Sequence, residues 1–138
     1  SRRRPLTLYS VTQLRILDFM ANHSPPSNII LHKQSKSLEL VYGEHAYNLP
    51  AEYLRVSSPS AEVQGHGPGQ EVLQINKELV GIDQLEPVGH YALKIFFDDG
   101  HNTGLFTWDY LYTLATEQAP RWEHYLSRLV QAGHQRQQ

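Results

Sequence analysis

The run YALKIFFDDGHNTGLFTWDYL, Tyr91 to Leu111, decides the fold. Tyr91 to Phe97 is apolar and aromatic except at Lys94, the strongest strand signal in the chain. Asp98, Asp99 and Gly100 follow as a turn signal, and Gly104 to Thr107 is short and apolar enough to return as the partner strand. Thr107 is placed to cap a helix that starts at Trp108 and turns Leu111 and Leu114 to one side. A hairpin running straight into an amphipathic helix implies a one-faced sheet covered by that helix.

Toward the C-terminus, Pro120 opens a second helix with Trp122, Tyr125, Leu126, Leu129 and Val130 at helical spacing, and Gly133 is a natural stop. Toward the N-terminus, Ile29–Leu31 and Leu38–Tyr42 flank the polar turn Lys33 to Lys36, which reads as another hairpin. Pro50 suits the first position of a short helix running to about Arg55, with Glu52 near its positive end. Beyond Gln70 come the short run EVLQI, a turn near Asn76 and Lys77, and a strand signal at Val80, Ile82 and Leu85 that drifts off period before Pro87. Ser10 and Gln13 form a capping box for a helix over 11–21, whose stripe is Val11, Leu14, Leu17 and Met20. The expected class is α+β, a mostly antiparallel sheet with C-terminal helices packed on one face. The expected organisation is an extension over 1–27, a domain over 28–132 and a tail over 133–138.

Bulk properties narrow the function. The 138 residues suit one domain. The absence of cysteine excludes disulfides, thiolate metal sites and cysteine nucleophiles within this chain. Without Arg2, Arg3 and Arg4 the balance is 9 basic against 14 acidic residues, which argues against nucleic acid as partner. No stretch has the apolar length of a membrane span, and Gln13, Arg15 and Asp18 interrupt what would be a secretory core, so a cytoplasmic location is expected. Exposure of the 11–21 stripe would favour a homodimer through that helix.

The stretch YLRVSSPSAEVQGHGPGQ, Tyr53 to Gln70, concentrates the candidate chemistry. Gly65, Gly67 and Gly69 permit positive φ, Pro59 and Pro68 stiffen the connection, and a loop of this length is a frequent recognition element. Arg55, Ser58, Ser60, His66, Gly67 and Gln70 are the candidate partner contacts. His66 and Glu62 in this loop, with His101 and Asp99 in the AspAspGlyHis turn, form a nitrogen and oxygen set suited to zinc or ferrous iron if the two segments meet. GlyHisGlyProGlyGln lacks the lysine and hydroxyl of a phosphate-binding loop. Neither HExxH, GxSxG nor an HxD or HxE metal motif occurs, so no enzyme is expected.

With EPVGHYALKIFFDDGHNTGLFTWDYL, Glu86 to Leu111, the Tyr53–Gln70 stretch resembles the gamma-butyrobetaine hydroxylase-like N-terminal domain family. The resemblance, which covers about 28–129, implies a module without the hydroxylase's catalytic barrel. It also implies a zinc site of three cysteines and one histidine; Ser58, Ser60 and Val63 stand where the cysteines would be, and His101 where the histidine would be. The leading expectation is a stand-alone, non-catalytic binding or adaptor module for a protein partner. The alternative, suggested by related domains attached to iron-sulfur scaffold ATPases, is a small zinc- or iron-binding protein accessory to iron or iron-sulfur metabolism.

Overall fold

The structure, a computed structural model, describes residues 25–136. Six strands make two three-stranded antiparallel sheets: β1 (Asn28–His32), β2 (Ser37–Tyr42) and β3 (His45–Pro50) in the first, β4 (Ile82–Val88), β5 (Ala92–Phe97) and β6 (Leu105–Thr107) in the second. Two short helices, α1 (Ala51–Val56) and α2 (Ala61–Gln64), follow β3, and α3 (Trp108–Thr116) and α4 (Gln118–Gln131) close the chain. The α+β class stands, with the antiparallel strands divided between two sheets. The expected helix over 11–21, and any dimer through it, lie outside the described residues.

β1 and β2 pair around the Lys33–Lys36 turn, with Ile29 opposite Leu40 and Leu31 opposite Leu38. β3 is an additional strand: Gly43, at φ +64°, turns the chain within two residues so that Leu49 meets Leu38 and is fully buried. Pro50 sits at the N-cap of α1, one position earlier than expected. EVLQI at 71–75 is irregular.

The drift in β4 has a cause. Pairing with β5 shifts between Ile82 and Gln84, a bulge that places Asp83 out of step, and β4 is an edge strand on which Pro87 is tolerated. Thr107 accepts a hydrogen bond from the Tyr110 amide (3.1 Å) and starts α3 as anticipated. Leu38, Leu40 and Leu49 from the first sheet share one core with Ile82, Leu93, Ile95, Phe97 and Phe106 from the second, with Tyr53 and Leu54 of α1, and with Leu111 and Leu114 of α3. Tyr53 also donates to the Leu114 carbonyl (2.8 Å), fastening α1 to α3.

Candidate functional site

α1 ends at Val56 because Ser57 leaves helical geometry, and the chain passes through Ser58 and Pro59 to Ser60, which caps α2 by accepting from the Glu62 amide (3.2 Å). The turn at Asp98–Gly100, with Gly100 at φ +92°, brings His101 to Thr103 alongside this segment. Loop and turn therefore meet, as the metal hypothesis requires. His101 is buried, with Nε2 2.8 Å from the Ser58 hydroxyl and Nδ1 3.1 Å from a Glu62 carboxylate oxygen. A carboxylate can only accept, so Nδ1 carries the proton and Nε2 accepts from Ser58. Ser58 Oγ in turn accepts from the Ser60 amide (3.2 Å), and the hydroxyls of Ser60 and Thr103 are 2.8 Å apart. Burial first, and the Arg55 charge second, push the His101 pKa below its ordinary value against the opposing pull of Glu62 and Asp99.

Ser58, His101 and Glu62 thus stand in the order of a nucleophile, a base and an orienting carboxylate. Ser58, however, has no exposed surface, and its Oγ abuts Gly104 so tightly that a Cβ there would lie 2.4 Å away. A substrate carbonyl has no approach to that hydroxyl. The donor set does not suit zinc either: both ring nitrogens of His101 are spent, the serines bond within the cluster, and buried Val63 offers no lone pair. Among the described residues, no group of three or more His, Asp or Glu side chains is placed to hold a metal ion. His66 is exposed and lines a separate depression with Gly65, Gly67 and Glu71, so of the four candidate ligands the contacts join His101, Glu62 and Asp99 only.

Asp99 anchors a second polar knot. It accepts from Arg55 Nε and from Lys77 Nζ, both at 2.8 Å, and from the His101 amide at 3.1 Å, while Arg55 also reaches Gln74 (3.0 Å). Burial alone would raise the Asp99 pKa, but these donors overcome it and hold the carboxyl at about 2. Arg55, Ser58 and Ser60, expected at a partner surface, are all buried and committed inside the fold. His66 and Gln70 remain exposed, and Gly67 is half-buried. Trp108 and Tyr110 serve the interior too, donating to the carbonyls of His90 (3.0 Å) and Ser57 (2.6 Å), and Tyr112 packs edge-on against Tyr42.

The open surface lies elsewhere, against α4. A cleft of about 400 Å³ lies between α4 and the two ends of the Gln64 to Glu71 stretch, lined by Val56, Tyr110 and Tyr125 and by the charged or polar side chains of Glu71, Glu117, Arg121, His124 and Arg128. Its walls are fastened together: Tyr125 donates to the Gln74 carbonyl (2.6 Å) and Arg128 to the Glu71 carbonyl (3.1 Å). The glycine-rich depression adjoins it, sharing Gln64 and Glu71. Gly65 is required there, because at φ +75° a Cβ would fall 2.0 Å from the Gln70 carbonyl oxygen. The loop is legible in the sequence, and its opposite wall is not. The signal was the spacing of Arg121, His124 and Arg128 along the polar side of α4, which looks like any solvated helix face until the loop lies against it.

The fold is one that this chain shares with other proteins. The chain belongs to the family described as gamma-butyrobetaine hydroxylase-like, N-terminal, whose model matches residues 29–112. Two proteins solved in solution by NMR are similar to it. One is 60% identical, with 83% of this chain and 90% of that chain covered and a TM-score of 0.73. The other is 45% identical, with 82% and 86% covered and a TM-score of 0.69. A crystal structure of a protein of unknown function from Acidithiobacillus ferrooxidans, placed in the DUF971 family, is 36% identical over 70% of this chain and 98% of that one, with a TM-score of 0.57. No curated protein matches. Among the described residues no helix is long and apolar enough to cross a membrane.

Proposed function

We propose that this chain is a non-catalytic binding module that holds a segment of a protein partner in the cleft between α4 and the Gln64–Glu71 stretch. The observation that carries the reading is how that cleft is built. Tyr125 and Arg128 tie α4 to the backbone at Gln74 and Glu71, just after the glycine-rich segment, so both walls are fixed, while Arg121 and His124 stay exposed along the cleft and His66 stays exposed in the adjoining depression. A preformed trough loses little conformational entropy when a partner enters it. The buried Ser58–His101 pair supports the same reading from the other direction, since the two satisfy one another away from solvent and only Glu62, at the outer end, is exposed.

The test is site-specific photo-crosslinking in cells that carry the protein. A photoreactive residue is placed in turn at His66, at His124 and at Asp83, which is exposed on β4 outside the cleft. The same protein captured at His66 and His124 but not at Asp83 is the expected result. Equal capture at all three positions, or none at the cleft, would refute the assignment.

A further inference from the structure

Past the end of α4 the chain folds back onto the body. Gly133, at φ +78°, reverses it, and the His134 amide donates to the Leu129 carbonyl (2.9 Å), closing the helix. Arg136 then lays its guanidinium as a fork on Glu52, in the first turn of α1. Its Nε reaches one carboxylate oxygen at 2.9 Å and a terminal nitrogen the other at 2.5 Å. The guanidinium carbon also lies 5.4 Å from the centre of the Trp122 ring. Hydrogen bonding to Glu52, with the charges of Glu52 and Glu78, raises the Arg136 pKa. A nearly buried carboxylate facing an indole is a built receptor for a planar cation, and two oxygens in a fork suit arginine better than lysine. His134 and Gln135 stay exposed, so among the described residues Arg136 is the side chain that fastens this tail.

The tail fills only half of what lies beneath it. It borders a groove of about 330 Å³ whose other wall is Leu126, Leu129 and Val130 of α4, and it brings to that groove only the polar side chains of His134, Gln135 and Arg136. Val130 stays 74% exposed. The charge of the site is therefore met in cis while its apolar part is left open. A tethered tail competes at high effective concentration, so a displacing segment needs a contact that the tail does not make, and burying Val130 supplies one. We infer that Glu52 and the Trp122 ring form a guanidinium site that the chain's own tail occupies, and that a partner segment carrying arginine beside an apolar side chain displaces Arg136 and fills the groove. This groove shares no lining residue with the cleft of the binding-module reading, and the inference does not depend on what that cleft holds.

Amide, indole and arginine side-chain shifts of the isotope-labelled full chain would be followed during titration with a short peptide bearing leucine next to arginine, and with its counterpart in which neutral citrulline replaces the arginine. The Arg136→Ala chain is expected to bind the arginine peptide saturably, with shifts confined to α1, the Trp122 indole and residues 126–130. The citrulline peptide should bind it at least about tenfold more weakly, and Glu52→Gln on the same background should weaken the arginine peptide at least about tenfold. The parent should bind several-fold more weakly than Arg136→Ala, and its Arg136 Nε–H resonance should move to the position of a free arginine as the peptide enters. No saturable binding to Arg136→Ala, equal binding of the two peptides, or shifts scattered elsewhere would overturn the inference. Should Arg136→Ala fail to fold, the parent decides: an Arg136 Nε–H resonance unmoved throughout the titration overturns it. A concentration-dependent dimer of the parent that Arg136→Ala dissolves would overturn the partner assignment in favour of tails exchanged between two copies.

Discussion

Ser58→Ala is the sharpest probe of the buried cluster. The substitution removes one hydroxyl and orphans two groups, His101 Nε2, which accepts from it at 2.8 Å, and the Ser60 amide, which donates to it at 3.2 Å. Ser58 has no exposed surface, so water cannot readily replace either bond. Leaving a buried polar group unsatisfied costs about 1–3 kcal/mol, which for two groups with some relaxation comes to about 3 kcal/mol. In a domain of this size that lowers Tm by about 10 °C. Glu62→Gln is the internal control: it touches the same imidazole, but the Glu62 side chain is 62% exposed, and its loss should cost under about 0.5 kcal/mol. Urea unfolding monitored by circular dichroism reads both, and a cycle that adds His101→Phe should show coupling of about 1–3 kcal/mol between positions 58 and 101. If Ser58→Ala lies within about 0.5 kcal/mol of the parent, or costs no more than Glu62→Gln, the view that this cluster is a spent, structural network is refuted.

Alkaline stability should be lost early. Burial pushes Tyr42 and Tyr125 up to about 12 and raises Tyr53 and Tyr110 as well, so each holds its proton more tightly folded than unfolded. Their contribution is complete below the unfolded pKa near 10 and disappears as pH climbs from about 10 toward about 12, which a Tm series across that range would record. Tyr42→Phe should leave neutral-pH stability unchanged or improved, because the Tyr42 hydroxyl is the buried side-chain polar atom without a partner among the described residues; a marked drop in Tm would contradict this. Arg136→Ala should cost about 1–3 kcal/mol by stranding the Glu52 carboxylate, whose side chain is only 9% exposed, and Glu52→Gln in the same chain should recover part of the loss in urea titrations. Gly65→Ala should destabilise by more than about 1 kcal/mol and open the 64–71 stretch to limited proteolysis, because the new Cβ collides with the Gln70 carbonyl; an unchanged cleavage pattern would count against the rigid loop.

Much of the fold was legible because its strongest elements announce themselves locally. The Tyr91–Phe97 run, the Thr107 cap and the Lys33–Lys36 turn are short-range signals, and each appears where the residues put it. β3 was not legible: only Tyr47 and Leu49 alternate there, and Pro50 draws attention to the helix that follows. β4 was blurred by its bulge, since one extra residue breaks the two-residue period on which strand recognition depends. At the site, the pairing of loop with turn could be anticipated but its chemistry could not. Whether His101 meets Glu62 and Ser58, or His66, depends on how β5 and β6 space the turn, and that is a tertiary quantity. Arg55 shows the same limit, because a carboxylate-binding fork and a buried ion pair look identical until Asp99 and Lys77 are seen to converge on it.

The interlocking of the hydroxyls has an evolutionary consequence. Ser58 answers His101 and the Ser60 amide, all three within the buried part of the fold, while Ser60 caps α2 and meets exposed Thr103, so neither Ser58 nor His101 can change without abandoning a buried partner. A single substitution strands a neighbour before any compensating change exists, which makes intermediate sequences less fit than either end point. Lineages should therefore inherit positions 58 and 101 as one unit or exchange them together, and the pair works as a ratchet against stepwise drift.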